Sequence, residues 1–327
     1  MLDFKGGVKS RSFIAQSGSH YPVLVDEIVD SFSSCNPKLV VDATVGAGGH
    51  AKAILEKIGS VERYIGFDKD QEAARRSLEN LSQYKDRVAI INSDFDLIDS
   101  ELVKLSISKV DALLFDFGIS SFQFEEGSRG FSFAMDGPLD MRIDQRATLQ
   151  AEEIINSSSA KELALIFKRY GEESFATRIA KEIVSKRKVA PIKSTVELAS
   201  IVHNILGGKV HRKRKIDSAT KVFMALRIAV NDELKKISVG LEKGSKLLRS
   251  GGLIAAMSFN SLEDRIVKRF FVDNSRKCIC ARTSPICNCG LPGFLEIINK
   301  KPIRASALEI ETNNRSRSAK LRVARKI

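Results

Sequence analysis

A glycine-rich run, Val41-Asp42-Ala43-Thr44-Val45-Gly46-Ala47-Gly48-Gly49-His50, joins a short apolar stretch to a helical pattern. Glycine lets a backbone turn tightly and lie against a bound nucleoside at a helix start. Gly46, Gly48 and Ala51 satisfy a loose G-x-G-x-x-A spacing, which alone also fits a ligand-free connection. Asp68, in Gly66-Phe67-Asp68, follows the glycines by about 20 residues, where an acid would hold the ribose hydroxyls of an adenosine cofactor. Turn and acid together favour a nucleoside cofactor. In Asn92-Ser93-Asp94-Phe95 an acid and an aromatic could hold an adenine, although Asp94 could equally cap a helix and Phe95 belong to the core. His50 is either a local hydrogen bonder or part of the same site.

A different chemistry resides in Asp116-Phe117-Gly118-Ile119-Ser120-Ser121-Phe122-Gln123, which gathers a carboxylate, two hydroxyls and an amide. The exocyclic amine of cytosine or adenine is a poor nucleophile because its lone pair is delocalised into the ring. Acceptors bonded to its N–H hydrogens can localise that pair for in-line attack on a sulfonium methyl, and no strong base is needed. Asp116 suits the task, with Ser120 and Ser121 as candidate catalytic hydroxyls. The alternative is that Asp116 and Ser120 cap a turn.

Four apolar runs, Lys38 to Asp42, Tyr64 to Asp68, Val88 to Asn92 and Val110 to Asp116, alternate with helical patterns at His50 to Ile58 and Gln71 to Leu81. This β-α-β rhythm predicts an α/β fold, a mostly parallel Rossmann-like sheet whose ligands sit at strand carboxyl ends. Each candidate acid closes one of those runs. After Asp116 the pattern turns helical, at Ala151 to Ile155, Ala160 to Tyr170, Glu173 to Lys186 and Val196 to Leu206. A long helix from about Ala219, with Phe223, Leu226, Val230, Leu234, Ile237 and Leu241 at helical spacing, then leads to a strand over Leu253 to Phe259. Leu308 to Glu311 and Lys320 to Arg325 read as an antiparallel edge pair. The expected organisation is an α/β domain in two parts, 1–122 and 218–327, with an inserted all-helical domain over 123–217.

The formal net charge is +13, which attracts phosphate backbones. Runs at Lys186-Arg187-Lys188, Lys209 to Lys215 and Arg315 to Lys326 fit RNA contacts or simply a solvated surface, and Gly207-Gly208 suggests a hinge that orders on RNA. The most apolar stretch is strand-sized, so no membrane role is expected. Met1 to Ser10 lacks an apolar block, which points to the cytoplasm, a mitochondrial transit segment being the weaker alternative. Cys278, Cys280, Cys287 and Cys289 invite a zinc reading, but single-residue spacing within each pair is atypical and no metal site is assigned. Cys35 reads as a small hydrophobe. The oligomeric state stays open, a homodimer included.

Blocks along nearly the whole chain resemble the RsmH/MraW family of bacterial methyltransferases acting on cytidine N4 of 16S ribosomal RNA. They are His20-Tyr21-Pro22-Val23-Leu24, the Asp42 to His50 turn, Asp116 to Gln123, Arg129-Gly130-Phe131-Ser132-Phe133, Asp136 to Arg142, Tyr170-Gly171-Glu172-Glu173, Ala225-Leu226-Arg227-Ile228, Ser261 to Arg265 and Arg317-Ser318-Ala319. The resemblance implies that Gly48, Gly49, His50, Asp68, Phe95, Asp116 and Gln123 bind S-adenosyl-L-methionine. Asp42 and Gly46, in the same turn, complete the candidate cofactor set. The resemblance also implies that 1–122 and 218–327 form the methyltransferase domain, that 123–217 is its RNA-recognition domain, and that 16S rRNA of the small subunit, near its decoding region, is the partner. Asn260 stands where the family usually has His, Phe122 where it has Pro, and Ser218, Lys221 and Met224 where it has Pro, Arg and Gln. Asn260 offers only hydrogen bonds and is not assigned as a base. The competing readings are a non-catalytic RNA-binding assembly factor and a nicotinamide-dependent oxidoreductase.

Overall fold

The computed structural model describes residues 22–212, 216–276 and 293–327, the side chains of 206–212 excepted. Strands β1 (Leu39–Asp42), β2 (Arg63–Phe67), β3 (Val88–Ile91), β4 (Val110–Asp116) and β5 (Leu248–Ser258) run parallel. β6 (Leu295–Ile297) and β7 (Lys320–Lys326) complete the sheet in the order β3-β2-β1-β4-β5-β7-β6, with β7 antiparallel to both β5 and β6. The strand order reverses between β1 and β4, so a crevice opens beyond their carboxyl ends. The Rossmann-like, mostly parallel sheet expected from the sequence is therefore present.

Residues 64–67, 112–115 and 253–257 are continuously apolar because both sheet faces are covered there. Val40, Tyr64, Ala112, Leu114 and Ala255 pack on one face under α1 (Val25–Ser33) and α2 (Gly49–Lys57). Alternate residues, Val41, Ile65, Leu113, Phe115 and Ile254, pack on the other face. α3 (Gln71–Asn80) links β2 to β3, and α4 (Ile98–Lys104), on that second face, links β3 to β4. α5 (Ser121–Glu125) follows β4, and the chain then stays helical through α6 (Ala151–Ser157), α7 (Ala160–Gly171), α8 (Ala176–Arg187), α9 (Thr195–Arg212) and α10 (Ser218–Asn231). These helices share a third apolar cluster built around Leu163, Phe167, Ile179, Val202 and Leu226. Glu172, at the end of α7, accepts from Ser261 Oγ (2.8 Å) and Arg265 (2.9 Å), which ties the helical part to the start of α12 (Ser261–Ser275).

Three expectations need correction. The long helix from Ala219 breaks at Asp232, whose φ of 50° starts a separate α11 (Glu233–Leu247). Phe223, Leu226 and Val230 serve the helical cluster, whereas Ile237 and Leu241 serve the sheet, so one unbroken periodicity spans two cores. Leu308 to Glu311 lies in a helix, α13 (Ala307–Thr312), where Ser306 caps Glu309 N at 3.1 Å. Its alternating apolar and acidic residues imitate a strand, but the capping signal prevails. β7 therefore pairs with Leu295–Ile297 instead. Finally, the backbone of α9 runs helically through Gly207-Gly208 rather than hinging there. The four clustered cysteines lie outside the described residues, as does the Lys213 to Lys215 part of the middle basic run.

The segment between α5 and α6 carries one 3-10 turn, Gly127–Arg129, and is otherwise held by close backbone approaches. Gly130 has φ +71°, and a Cβ there would stand 2.1 Å from Pro138 O. Gly130→Ala is expected to lower stability by about 2–3 kcal/mol through strain and overlap, read as a fall in thermal midpoint.

Candidate functional site

β1 ends at Asp42, whose carboxylate shapes the turn after it. Thr44 N donates to Oδ1 (3.0 Å) and the Tyr64 hydroxyl to Oδ2 (2.8 Å). Asp42 is buried, and burial pushes its carboxyl up to about 6. Gly46 and Gly48 then adopt left-handed backbone, φ +55° and +85°, which a side chain would strain. Gly48 caps α2, and Gly49, the first residue of that helix, lies directly against Pro22. Gly46 N donates to Asp68 Oδ2 (3.0 Å) and Asp70 N to Asp68 Oδ1 (2.9 Å), so the acid after β2 is locked to the glycine turn. Burial first, and then the neighbouring Asp70 charge, raises the Asp68 carboxyl to about 7.

Phe95 sits beyond β3 in an aromatic group, 5.8 Å edge-on from Phe115 and 5.9 Å from Phe117. Gly240 of α11 makes room for it, since a Cβ there would come within 2.5 Å of the ring. Asp94 makes no capping hydrogen bond; its Oδ2 takes Lys236 (2.7 Å) and Lys69 (3.5 Å).

Asp116 lies two residues beyond the point where Leu114 pairs with Asp42, so its carboxyl projects into the crevice. Its backbone N donates to Thr44 Oγ1 (2.6 Å), but its own Oδ1 is buried with no partner among the described residues. Oδ2 stands 3.6 Å from His50 Nδ1. His50 Nε2 lies 2.9 Å from the Val23 carbonyl, which only a protonated Nε2 can satisfy, and burial lowers the imidazole pKa. The ring is accordingly neutral, with a bare Nδ1 lone pair facing Asp116. Among the described residues no side chain therefore donates to either oxygen, although the side chain is 26% exposed. Burial, then the charges of Asp42 and Glu263, push the Asp116 carboxyl well above its ordinary value. Once ionised, the carboxylate offers an acceptor pair that fits an incoming N–H donor or cation.

Ser120 and Ser121 lie partly exposed where α5 begins, and a Cβ on Gly46 would stand 3.1 Å from Ser120 Oγ. Gln123 is buried, its Oε1 accepting Ser120 N (2.8 Å) and its Nε2 donating to Asp70 Oδ2. Its amide thus braces the loop. The turn, Asp68, His50, Asp116 and Ser120 come together, with Phe95 seated behind them.

Sequence reasoning assigned no role to Asp70, nor to Thr44 and Arg129 within the runs that contain them. Asp70 carried one signal, an Asp directly before a helical pattern, and it caps α3 by accepting Glu72 N (2.9 Å). Asn260 caps α12: Oδ1 accepts Leu262 N and Glu263 N (2.9 and 3.0 Å), while Nδ2 donates to Glu263. Phe122 lies under the Arg76 guanidinium, 4.3 Å from its centroid. Lys221 Nζ donates to Glu172 O (3.1 Å), and Asp140 holds Arg142 at both oxygens (2.9 and 2.6 Å), a brace within its own loop. The basic runs are divided. Arg187 donates to the Ser158 carbonyl, and Lys320 and Arg322 hold Asp264, whereas Lys186 and Lys188 are exposed. Cys35 packs against the core, and burial raises its thiol to about 11, as befits a small hydrophobe.

Comparison with known proteins follows the same lines. The model of the MraW methylase family matches residues 17–327. The chain is 47% identical over 309 residues to Ribosomal RNA small subunit methyltransferase H of Caldicellulosiruptor bescii, covering 94% of this chain and 99% of that one. It is 44% identical over 308 residues to the protein of the same name from Caldicellulosiruptor saccharolyticus, at the same coverage. A crystal structure of an rRNA methylase from Streptococcus thermophilus is similar at 10% identity and a TM-score of 0.43, over 94% of this chain and 99% of that one. No helix among the described residues is long and apolar enough to cross a membrane. The nicotinamide-dependent reading has no support left, and the chain belongs to the MraW methylase family as an S-adenosylmethionine-dependent methyltransferase.

Proposed function

We propose that this methyltransferase modifies the N4 amine of a cytidine in 16S rRNA of the small ribosomal subunit, in the cytoplasm, with residues 123–217 as its RNA-facing domain. The observation that carries this reading is Asp116, a crevice carboxyl whose two oxygens receive no donor from any described side chain. S-adenosylmethionine, when bound, supplies the methyl on a sulfonium, whose positive charge also favours ionised Asp116. The residues present fit that group: a glycine turn without side chains, an acid at the ribose position, and an acceptor site suited to a cation or amine.

Asp116 accepts an N–H hydrogen of the target amine, which localises the nitrogen lone pair, and it can take the proton released once the new N–C bond forms. Ser120 and Ser121 orient the base from the start of α5. Asp68 accepts from the ribose hydroxyls, Gly46, Gly48, Gly49 and His50 line the turn, Asp42 and Gln123 hold the cradle, and Phe95 forms its apolar wall. Extruding the base costs about a few kcal/mol, which backbone contacts to the basic surface offset.

The test is transfer of labelled methyl to small subunits lacking the modification, followed by nucleoside digestion. N4-methylcytidine is expected. RNA binding without incorporation into subunits, precursors or free RNA would favour the assembly-factor reading.

A pH dependence accompanies it. Asp68 titrates near 7 in the folded chain, above the ordinary 3.8, so the group binds its proton more tightly when folded. Its stability contribution therefore falls as pH rises from about 4 to 7. Cofactor binding has the opposite slope, because ionised Asp68 is the better acceptor. Affinity for S-adenosylhomocysteine, by calorimetry, is expected to rise by up to about tenfold per pH unit below 7 and to level off above it.

A further inference from the structure

A chain of hydrogen bonds, closed by one van der Waals approach, links the glycine turn to the loop after β4. Gly46 N donates to Asp68 Oδ2, Asp70 N to Asp68 Oδ1, Gln123 Nε2 to Asp70 Oδ2, and Ser120 N to Gln123 Oε1. Ser120 Oγ returns against Gly46, 3.1 Å from where its Cβ would be. Arg129 enters this ring at one point. Its Nη2 donates to Asp70 Oδ2 (2.8 Å) and also to the carbonyls of Arg142 (3.1 Å) and Ile143 (2.9 Å). Arg129 and Asp70 are 7% and 2% exposed, and Arg129 Nε is buried with no partner among the described residues.

A buried ion pair is weak evidence for stability, because apolar residues of similar volume often do as well. What this pair specifies is direction. Asp70 Oδ1 is committed to capping α3, so Oδ2 alone faces Gln123, and Arg129 fixes where that oxygen points. Gln123 in turn holds the backbone of Ser120, at the end of the loop that begins with Asp116.

We propose that Arg129, acting through Asp70, is a positioning residue for methyl transfer, holding the Asp116–Ser120 loop in register with the cofactor turn. The inference rests on the crevice being the methyl-transfer site. The two halves of the ring depend on Arg129 differently. Asp68 is held by backbone amides of Gly46 and Asp70, which need no guanidinium. Ser120 depends on Gln123, and Gln123 on the Asp70 carboxylate. Loss of Arg129 should therefore disturb the acceptor side and spare the cofactor side.

Two variants of the full chain test this. Asp70→Asn keeps an oxygen to cap α3, since Asn caps as well as Asp, but it replaces one of the two acceptor oxygens with a donor amide. Arg129→Lys keeps the charge and loses the planar fork. For each, kcat on unmodified small subunits, affinity for S-adenosylhomocysteine and the thermal midpoint are measured. Misplacement of a reacting group predicts kcat lower by about 10- to 100-fold, with cofactor affinity close to wild type when measured above pH 7, where Asp68 is ionised with or without the Asp70 charge. Because both variants break one linkage, the double variant should be no slower than the slower single variant. If Arg129→Lys does not fold, Asp70→Asn decides alone. The proposal is overturned by an unchanged kcat in Asp70→Asn, by cofactor affinity falling in step with kcat, or by losses that multiply in the double variant. A wild-type enzyme that transfers nothing to small subunits overturns the functional reading as well; active wild type with unaffected variants overturns this inference alone.

Discussion

Asp116→Asn is expected to lower kcat for methyl transfer by about 1000-fold, the upper range seen when one preorganised polar group is removed, while the protein folds as before. The amide has nearly the shape of the carboxyl but presents one acceptor and one donor in place of two acceptors. Its NH2 would face the hydrogens of the target amine. The Thr44 contact is to the backbone of residue 116 and survives. Stability should hold or improve. Asp116 is pushed well above its ordinary value, so at neutral pH its ionised form is disfavoured by folding, and a neutral side chain relieves that penalty. The benefit should be present at neutral pH and fade below about pH 4, where the unfolded chain is protonated too. Methyl incorporation and thermal unfolding on the same preparation check both halves. Wild-type kcat in this variant would remove Asp116 from the mechanism.

Asp68→Ala should weaken S-adenosylhomocysteine binding by roughly 100-fold or more, since two hydrogen bonds to a charged acceptor contribute about 1.5 kcal/mol or more each. Each carboxylate oxygen already takes one backbone amide, from Gly46 or Asp70, and keeps a lone pair for a hydroxyl. Alanine removes the ligand contacts and also releases the glycine turn, so the loss should exceed that in Asp68→Asn, which retains one acceptor. Calorimetric titration of both variants gives the ordering; equal affinity in wild type and Asp68→Ala would exclude the acid from the cofactor site.

The sheet and the ends of its strands could be read directly from the chain. A strand covered on both faces is apolar throughout, and a polar residue closing such a run must lie at its edge. That is why Asp42, Asp68 and Asp116 could be placed at the crevice before any coordinates, and why the glycines between β1 and α2 stood out. Their roles were harder to read. Gln123 looked like a ligand contact, but its amide is engaged on both sides within the protein. Asn260 looked like a weakened catalytic position and is a helix cap. The break at Asp232 escaped because helical spacing continues across it, with Val230 and Ile237 facing different cores.

Residues that act through local backbone geometry, or through the period of one strand or helix, leave a mark that a linear reading can find. The pairing of Asp70 with Arg129 crosses 59 positions and leaves none. Asp70 shows only its helix-cap position and Arg129 only its place in the Arg129 to Phe133 block; neither says that the two meet. Their meeting comes from folding, which removes water from both, so that each must find the other; only the packed chain shows which carboxylate meets which guanidinium and what that contact holds in place.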